Sequence, residues 1–296
     1  MTHCQYPWDL SHLSKFVGDK IPMGENIPSD TFSPMGERSI KVTSYQSLVS
    51  HLEKGADVSF FFNTASCASS TLKSTDDYPV FGGELKLFLT VNNSDENTGQ
   101  TIFSKVRYID EKPNDLNEEI QSIYIVNDMA SIFWGRPGFF VNNTSDFDGV
   151  NCNWTRGNGN IWARQSRDQK QLTSFKDIKT VLTSGEKVRW VVKSRGCTCP
   201  PEAAVCLDGA VGDTIRDFKI MADGSISFST SMTIQVLLSW RYIRIIIFGH
   251  IYENNTANFM LSTLEPTTWD DGGDHLILCP ITSRESTEGA NFFTES

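Results

Sequence analysis

The chain has 296 residues, 39% of them hydrophobic and 21% charged, which is enough apolar content to fill the cores of two ordinary domains. Lys and Arg number 26 against 36 Asp and Glu, for a formal net charge of −10. That balance repels phosphate backbones and anionic lipid, so nucleic acid is not an expected partner. The longest apolar region, Val236 to Tyr252, holds Arg241 and Arg244 and is too short and too charged for a helical membrane span.

Residues 1–40 read as an arm. Trp8, Leu10, Leu13 and Phe16 form a short helical stripe, and Gly18 to Arg38 is rich in Gly, Pro and Ser. Trp8 and Phe16 are the residues expected to hold the arm down. A first unit over 41–152 follows. Ser44 has the chemistry of a helix cap. Tyr45, Leu48, Val49 and Leu52 recur at helical spacing, Gly55 stops the helix, and Val58 to Phe62 reads as a strand. Further strands are expected at Leu85 to Val91, Thr101 to Ile109, Ile120 to Asn127 and Ala130 to Trp134. The last two are joined by Asn127-Asp128.

Residues 153–170 carry Arg156, Arg164, Arg167 and Lys170 and read as a basic linker. Then the opening pattern returns without a gap. Ser174 falls on Ser44, Phe175 on Tyr45, Ile178 on Leu48, Leu182 on Leu52, Gly185 on Gly55, Val188 on Val58, Trp190 on Phe60 and Cys197 on Cys67. The expected organisation is therefore two tandem copies of one unit, the second over 171–281. Asp223-Gly224 is the strongest hairpin signal in the chain. One or two buried strands are expected over Gln235 to Tyr252, then Asn258 to Leu264 and Leu276 to Cys279. Residues 282–296 read as a disordered tail. The expected fold class is α+β: each unit is one helix plus a mainly antiparallel sheet, curled into a barrel or a sandwich.

The capped helix, glycine, strand and cysteine, followed later by an Asp-Gly strand pair, resemble the VirK-like domain. The residues that carry the resemblance are Ser174, Phe175, Leu182, Gly185, Val188, Cys197, Phe218, Asp223, Gly224 and Phe228. That family is described in bacteria and appears in secreted invertebrate proteins. The resemblance fits the second copy better, and it implies no catalytic residues.

Seven cysteines bear on the compartment. Cys67 and Cys152 bracket the first unit, and Cys197 and Cys279 bracket the second in corresponding positions. Cys199 and Cys206 then close a small loop, leaving Cys4 unpaired or paired with another chain. A zinc site from Cys197, Cys199 and Cys206 is the alternative. Asn92, Asn142, Asn143, Asn153 and Asn254 head glycosylation triplets. No leader is visible at Met1 to Gln5, so the expectation is a mature secreted glycoprotein whose signal peptide was replaced by Met1.

No nucleophile elbow, phosphate loop, dinucleotide fingerprint or zinc-protease helix occurs. His250, at the end of an apolar strand, and His275, after Asp270, Asp271 and Asp274, are the candidate catalytic bases. The three aspartates form a candidate divalent-cation site, and no other cofactor is expected. Aromatics are plentiful, with 19 Phe, 7 Tyr and 7 Trp. Trp134, Trp190, Trp240, Tyr242 and Phe248 are the candidates to line a pocket for a small aromatic or hydrophobic molecule. The leading expectation is a ligand-binding protein. The alternative is a cofactor-independent oxidative enzyme, a secreted luciferase of the fireworm kind that oxidises an aromatic luciferin with oxygen.

Overall fold

The computed structural model describes residues 39–69, 80–93, 98–110, 116–135, 148–165, 169–200, 208–236, 241–264, 271–282 and 288–295. The arm up to residue 38 lies outside them.

The first half opens with β1 (Ser39–Val42), α1 (Tyr45–Glu53) and β2 (Asp57–Asn63). The short β3 (Ala68–Ser69) follows a single 3-10 turn. Then come β4 (Val80–Leu85), β5 (Phe88–Asn93), β6 (Thr98–Asp110), β7 (Leu116–Val126), β8 (Met129–Gly135), β9 (Asp148–Asn153) and β10 (Gly159–Arg164). The second half holds β11 (Gln171–Leu172), α2 (Phe175–Thr183), β12 (Val188–Lys193), β13 (Gly209–Ile215), β14 (Phe218–Ile220), β15 (Ile226–Val236), β16 (Arg241–Ile251), β17 (Thr256–Leu264), β18 (Asp271–Pro280) and β19 (Gly289–Thr294).

Local chemistry sets the helices as expected. The Ser44 hydroxyl accepts from the Ser47 amide and the Ser174 hydroxyl from the Asp177 amide, both at 3.2 Å. Gly55 and Gly185 follow with φ of 76° and 86°, a region costly for any side chain. Leu48, Leu52, Ile178 and Leu182 bury one helical face each. The Asn127-Asp128 and Asp223-Gly224 turns join β7 to β8 and β14 to β15.

Three sheets result, and every ladder between these strands is antiparallel. Their orders are β1-β10-β2-β4, then β11-β19-β12-β13-β5-β6-β7-β8-β9-β3, and β14-β15-β16-β17-β18. The sheets are open, not barrels: among the described residues each ends in strands paired on one side only. Two expected boundaries are corrected. Residues 159–164, read as linker, insert as β10 between β1 and β2. Residues 289–294, read as disordered tail, insert as β19 between β11 and β12. In β10 alternate residues are buried, Ile161 and Ala163 among them, and in β19 the run 289–292 is buried throughout, so burial holds segments that look polar overall.

The two halves pair in matching registers. Val58 faces Leu85 as Val188 faces Ile215. Phe88 faces Phe103 as Phe218 faces Phe228. Ile132 faces Val150 as Phe259 faces Ile277. Ile161 stands beside Phe60 as Phe292 stands beside Trp190.

The halves are welded together. β13 pairs with β5, Gly209 to Val91 through Gly212 to Phe88, which makes the ten-stranded sheet continuous. The middle strands are apolar on both faces. Phe103, Ile123 and Ile132 belong to the first core, whereas Ile102, Tyr124 and Phe133 belong to the second.

Candidate functional site

A cleft of about 290 Å³ lies on α1. Capping by Ser44 and burial of Leu48 and Leu52 fix the helix rotation. Gln46, Val49, Ser50 and Glu53 are thereby turned to the cleft, with Tyr45 beside them. Asn92 at the end of β5, Gly99 at the start of β6 and Asn127 in the β7–β8 turn complete the lining.

Tyr45 is the anchor. Its hydroxyl is 3.2 Å from the Thr101 hydroxyl, which is 3.1 Å from that of Thr90. Burial pushes the phenol up to about 12, against the smaller opposing effect of Thr101, so it stays neutral at physiological pH. Gly99 is required here: a Cβ would stand 2.8 Å from the Tyr45 hydroxyl oxygen. The second half closes the rim. Lys193 Nζ is 2.8 Å from Glu53 Oε2, and the Asn92 amide donates to Asp208 Oδ1 at 3.3 Å. The lining offers amides, hydroxyls, one paired carboxylate and the Val49 methyls. Among the described residues it contains neither histidine nor cysteine. Such a set suits hydrogen-bonded recognition of a small molecule.

The residues singled out from sequence lie elsewhere. Trp190 is 0% exposed, its ring stacked on Phe259 at 5.2 Å and tilted against Phe228 at 5.6 Å. Trp134 packs on Phe81 with centroids 4.6 Å apart. Tyr242 is buried, and Phe248 is half-buried on the outward face of β16. Trp240 lies outside the described residues. The rings of Trp190 and Trp134 are thus filled against other rings.

His250 and His275 stand on opposite faces of the third sheet. His250 shares the outward face with Leu278, through Asn258 between them, whereas His275 pairs with the core residue Leu261. His250 has Ser227 Oγ at 3.4 Å and stacks on Tyr252. Asp271 and Asp274 lie on β18 with side chains outside the description, and Asp270 lies outside it altogether. Among the described residues no group of three or more His, Cys, Asp or Glu side chains is placed to hold a metal ion.

Cys67 is bonded to Cys152 and Cys197 to Cys279. Cys199 is also disulfide-bonded, while Cys206 and Cys4 lie outside the described residues. With Cys197 and Cys199 both oxidised, the zinc alternative is overturned. Of the glycosylation triplets, Asn142 and Asn143 are outside the description. Asn153 is consumed in a cap, its Oδ1 accepting from the Arg156 amide and its Nδ2 donating to Asp128. Asn254 sits exposed in the β16–β17 turn, where its Oδ1 accepts from Thr256.

A disulfide-stapled antiparallel β-protein with, among the described residues, one α-helix per half is thus the class that fold and site define. Residues 171–269 match the family model described as VirK protein, so the chain is VirK-like in its second half. No curated protein matches the chain. A crystal structure of lpg1832, a VirK family protein from Legionella pneumophila, aligns with 42% of this chain and 98% of its own, at 15% identity and a TM-score of 0.36. Among the described residues no helix is long and apolar enough to cross a membrane.

Proposed function

We propose that the protein is an extracellular binding protein made of two tandem VirK-like units, and that it takes a small ligand in the cleft on α1. The observation that carries the reading is the cleft itself, about 290 Å³ beside a neutral, anchored phenol. Such a ligand would hydrogen-bond to Asn92, Asn127 and Ser50 and rest on Val49, rather than enter a unit among the aromatics. The matching registers of the two halves support a tandem origin. Two disulfides support an oxidising compartment, and Asn254 is the favoured glycan acceptor. The oxidative alternative draws no support from His250 and His275, which face apart.

The test is thermal stabilisation of the oxidised protein by a panel of small aromatic and polar compounds, repeated on Val49→Trp, which fills the cleft. A compound that raises the melting temperature of the native protein but not of the variant supports the reading. Stabilisation that survives Val49→Trp, or none by any compound, overturns it.

A further inference from the structure

The junction between the halves is built from surfaces that each half owns. On one side the β13 edge of the second half pairs with the β5 edge of the first. Around it, Ala210, Val191 and Phe293 enter the first core, with Phe293 Cδ2 only 2.7 Å from where a Cβ on Gly55 would stand. Phe88 lies over Gly212, whose Cβ would come 2.7 Å from the ring.

The register gives every one of these a counterpart in the other half of the chain. Val80, Phe61 and Trp162 correspond to Ala210, Val191 and Phe293, and Gly82 corresponds to Gly212. Phe218 and Gly185 correspond to Phe88 and Gly55. Val80 is 51% exposed, Phe61 39% and Phe218 38%, and Ile220, which corresponds to Thr90, is 40% exposed; Trp162 is half-buried. A Cβ on Gly185 would meet nothing within 4 Å. Among the described residues β4 pairs only with β2, and β14 only with β15.

We propose that the chain assembles head to tail with further copies of itself, β14 of one copy pairing antiparallel with β4 of the next. Transferring the observed register sets Ile220 opposite Val80 and Phe218 opposite Gly82, and lays Trp162 on Gly185. Such a contact is heterologous: it uses two different surfaces, so each addition leaves one of each free. Strand addition at an exposed edge supplies the backbone bonds, and the paired apolar side chains set the register. The ion pairs of the internal junction, Lys193 to Glu53, Arg189 to Asp57 and Lys86 to Glu295, have Asn63 with Thr183, Ser59 with Lys187 and Arg164 with Arg216 as counterparts. The contact between copies therefore lacks the ion pairs that hold the internal junction, carries positive charge in their place, and is weaker and reversible. The inference rests on the strand registers and not on the ligand reading.

Sedimentation velocity across the micromolar range tests it, on the full chain and on Val80→Lys and Ile220→Lys. Both positions are exposed edge positions, and unchanged circular dichroism checks the fold; Val80→Thr and Ile220→Thr serve as a second pair. The native chain is expected to grow with concentration. Each variant alone is expected to stay monomeric, because each has lost one half of the contact. Their equimolar mixture is expected to form dimers and nothing larger, since one intact contact remains. A native chain that stays monomeric overturns the proposal. So does association that persists in Val80→Lys alone, or a mixture that stays monomeric.

Discussion

Arg189 of β12 reaches across the junction to Asp57 of β2, with Nη1 3.3 Å from Oδ1 and its own side chain 1% exposed. Burial lowers the affinity of this guanidinium for its proton, and the nearby carboxylates, Asp57 first, raise it. Removing one partner leaves a buried charge, whereas removing the charge does not. Asp57→Ala is therefore expected to cost about 3 kcal/mol, the low end of the range for a broken buried pair because Asp57 is a quarter exposed, and Arg189→Met much less. Denaturation midpoints of the two variants check this; equal losses would show that the pair is not the cause.

The two disulfides join residues 85 and 82 positions apart. In the chain-entropy account a loop of that length is worth about 4–5 kcal/mol. Cys67→Ala with Cys152→Ala is expected to lower the melting temperature markedly, and addition of reductant to the native protein should do the same. Insensitivity to reductant would mean that the welded sheet alone holds the fold.

Gly249 pairs with Phe228, whose ring lies over it, and a Cβ there would stand 2.2 Å from Phe228 Cζ. Gly249→Ala is expected to destabilise by about 1–3 kcal/mol through overpacking. Adding Phe228→Leu should recover part of that loss, because the two residues share one space. Additive losses in the double variant would contradict the account.

Lys86, in the bend between β4 and β5, holds Glu295 at 2.8 Å. Burial by itself would raise the Glu295 carboxyl, but the bond from Lys86, its charge and that of Lys187 outweigh burial and hold it below the ordinary 4.5. Its contribution to stability is then complete above about pH 4.5 and is lost as pH falls through the lower folded value. The Lys86 ammonium is raised above 10.5, mainly by the hydrogen bond to Glu295, so its contribution is complete below that pH and is lost on the alkaline side. Melting temperature followed from neutral pH down through the carboxylate range should fall less steeply for Glu295→Gln than for the native chain.

The sequence by itself determined the local pieces. Ser44 and Ser174 as caps, Gly55 and Gly185 as stops and the Asn127-Asp128 and Asp223-Gly224 turns follow from residue chemistry acting over a few positions, and the bracketing cysteines follow from their matching places in the two copies. What it could not show was which segments share a sheet. β10 and β19 are six residues each, and their strand character comes from neighbours about a hundred positions or more earlier in the chain, β1 with β2 and β11 with β12. The same limit hid the cleft. Tyr45, Asn92, Gly99 and Asn127 come from four separate segments, and no short pattern links them. Trp190 and Trp134 carried the signal of an aromatic pocket, yet identical residue types serve a pocket wall and a packed core, and only the positions of Phe259, Phe228 and Phe81 decided between them. Periodicity reports which side of an element is apolar; what covers that side is set by the tertiary structure.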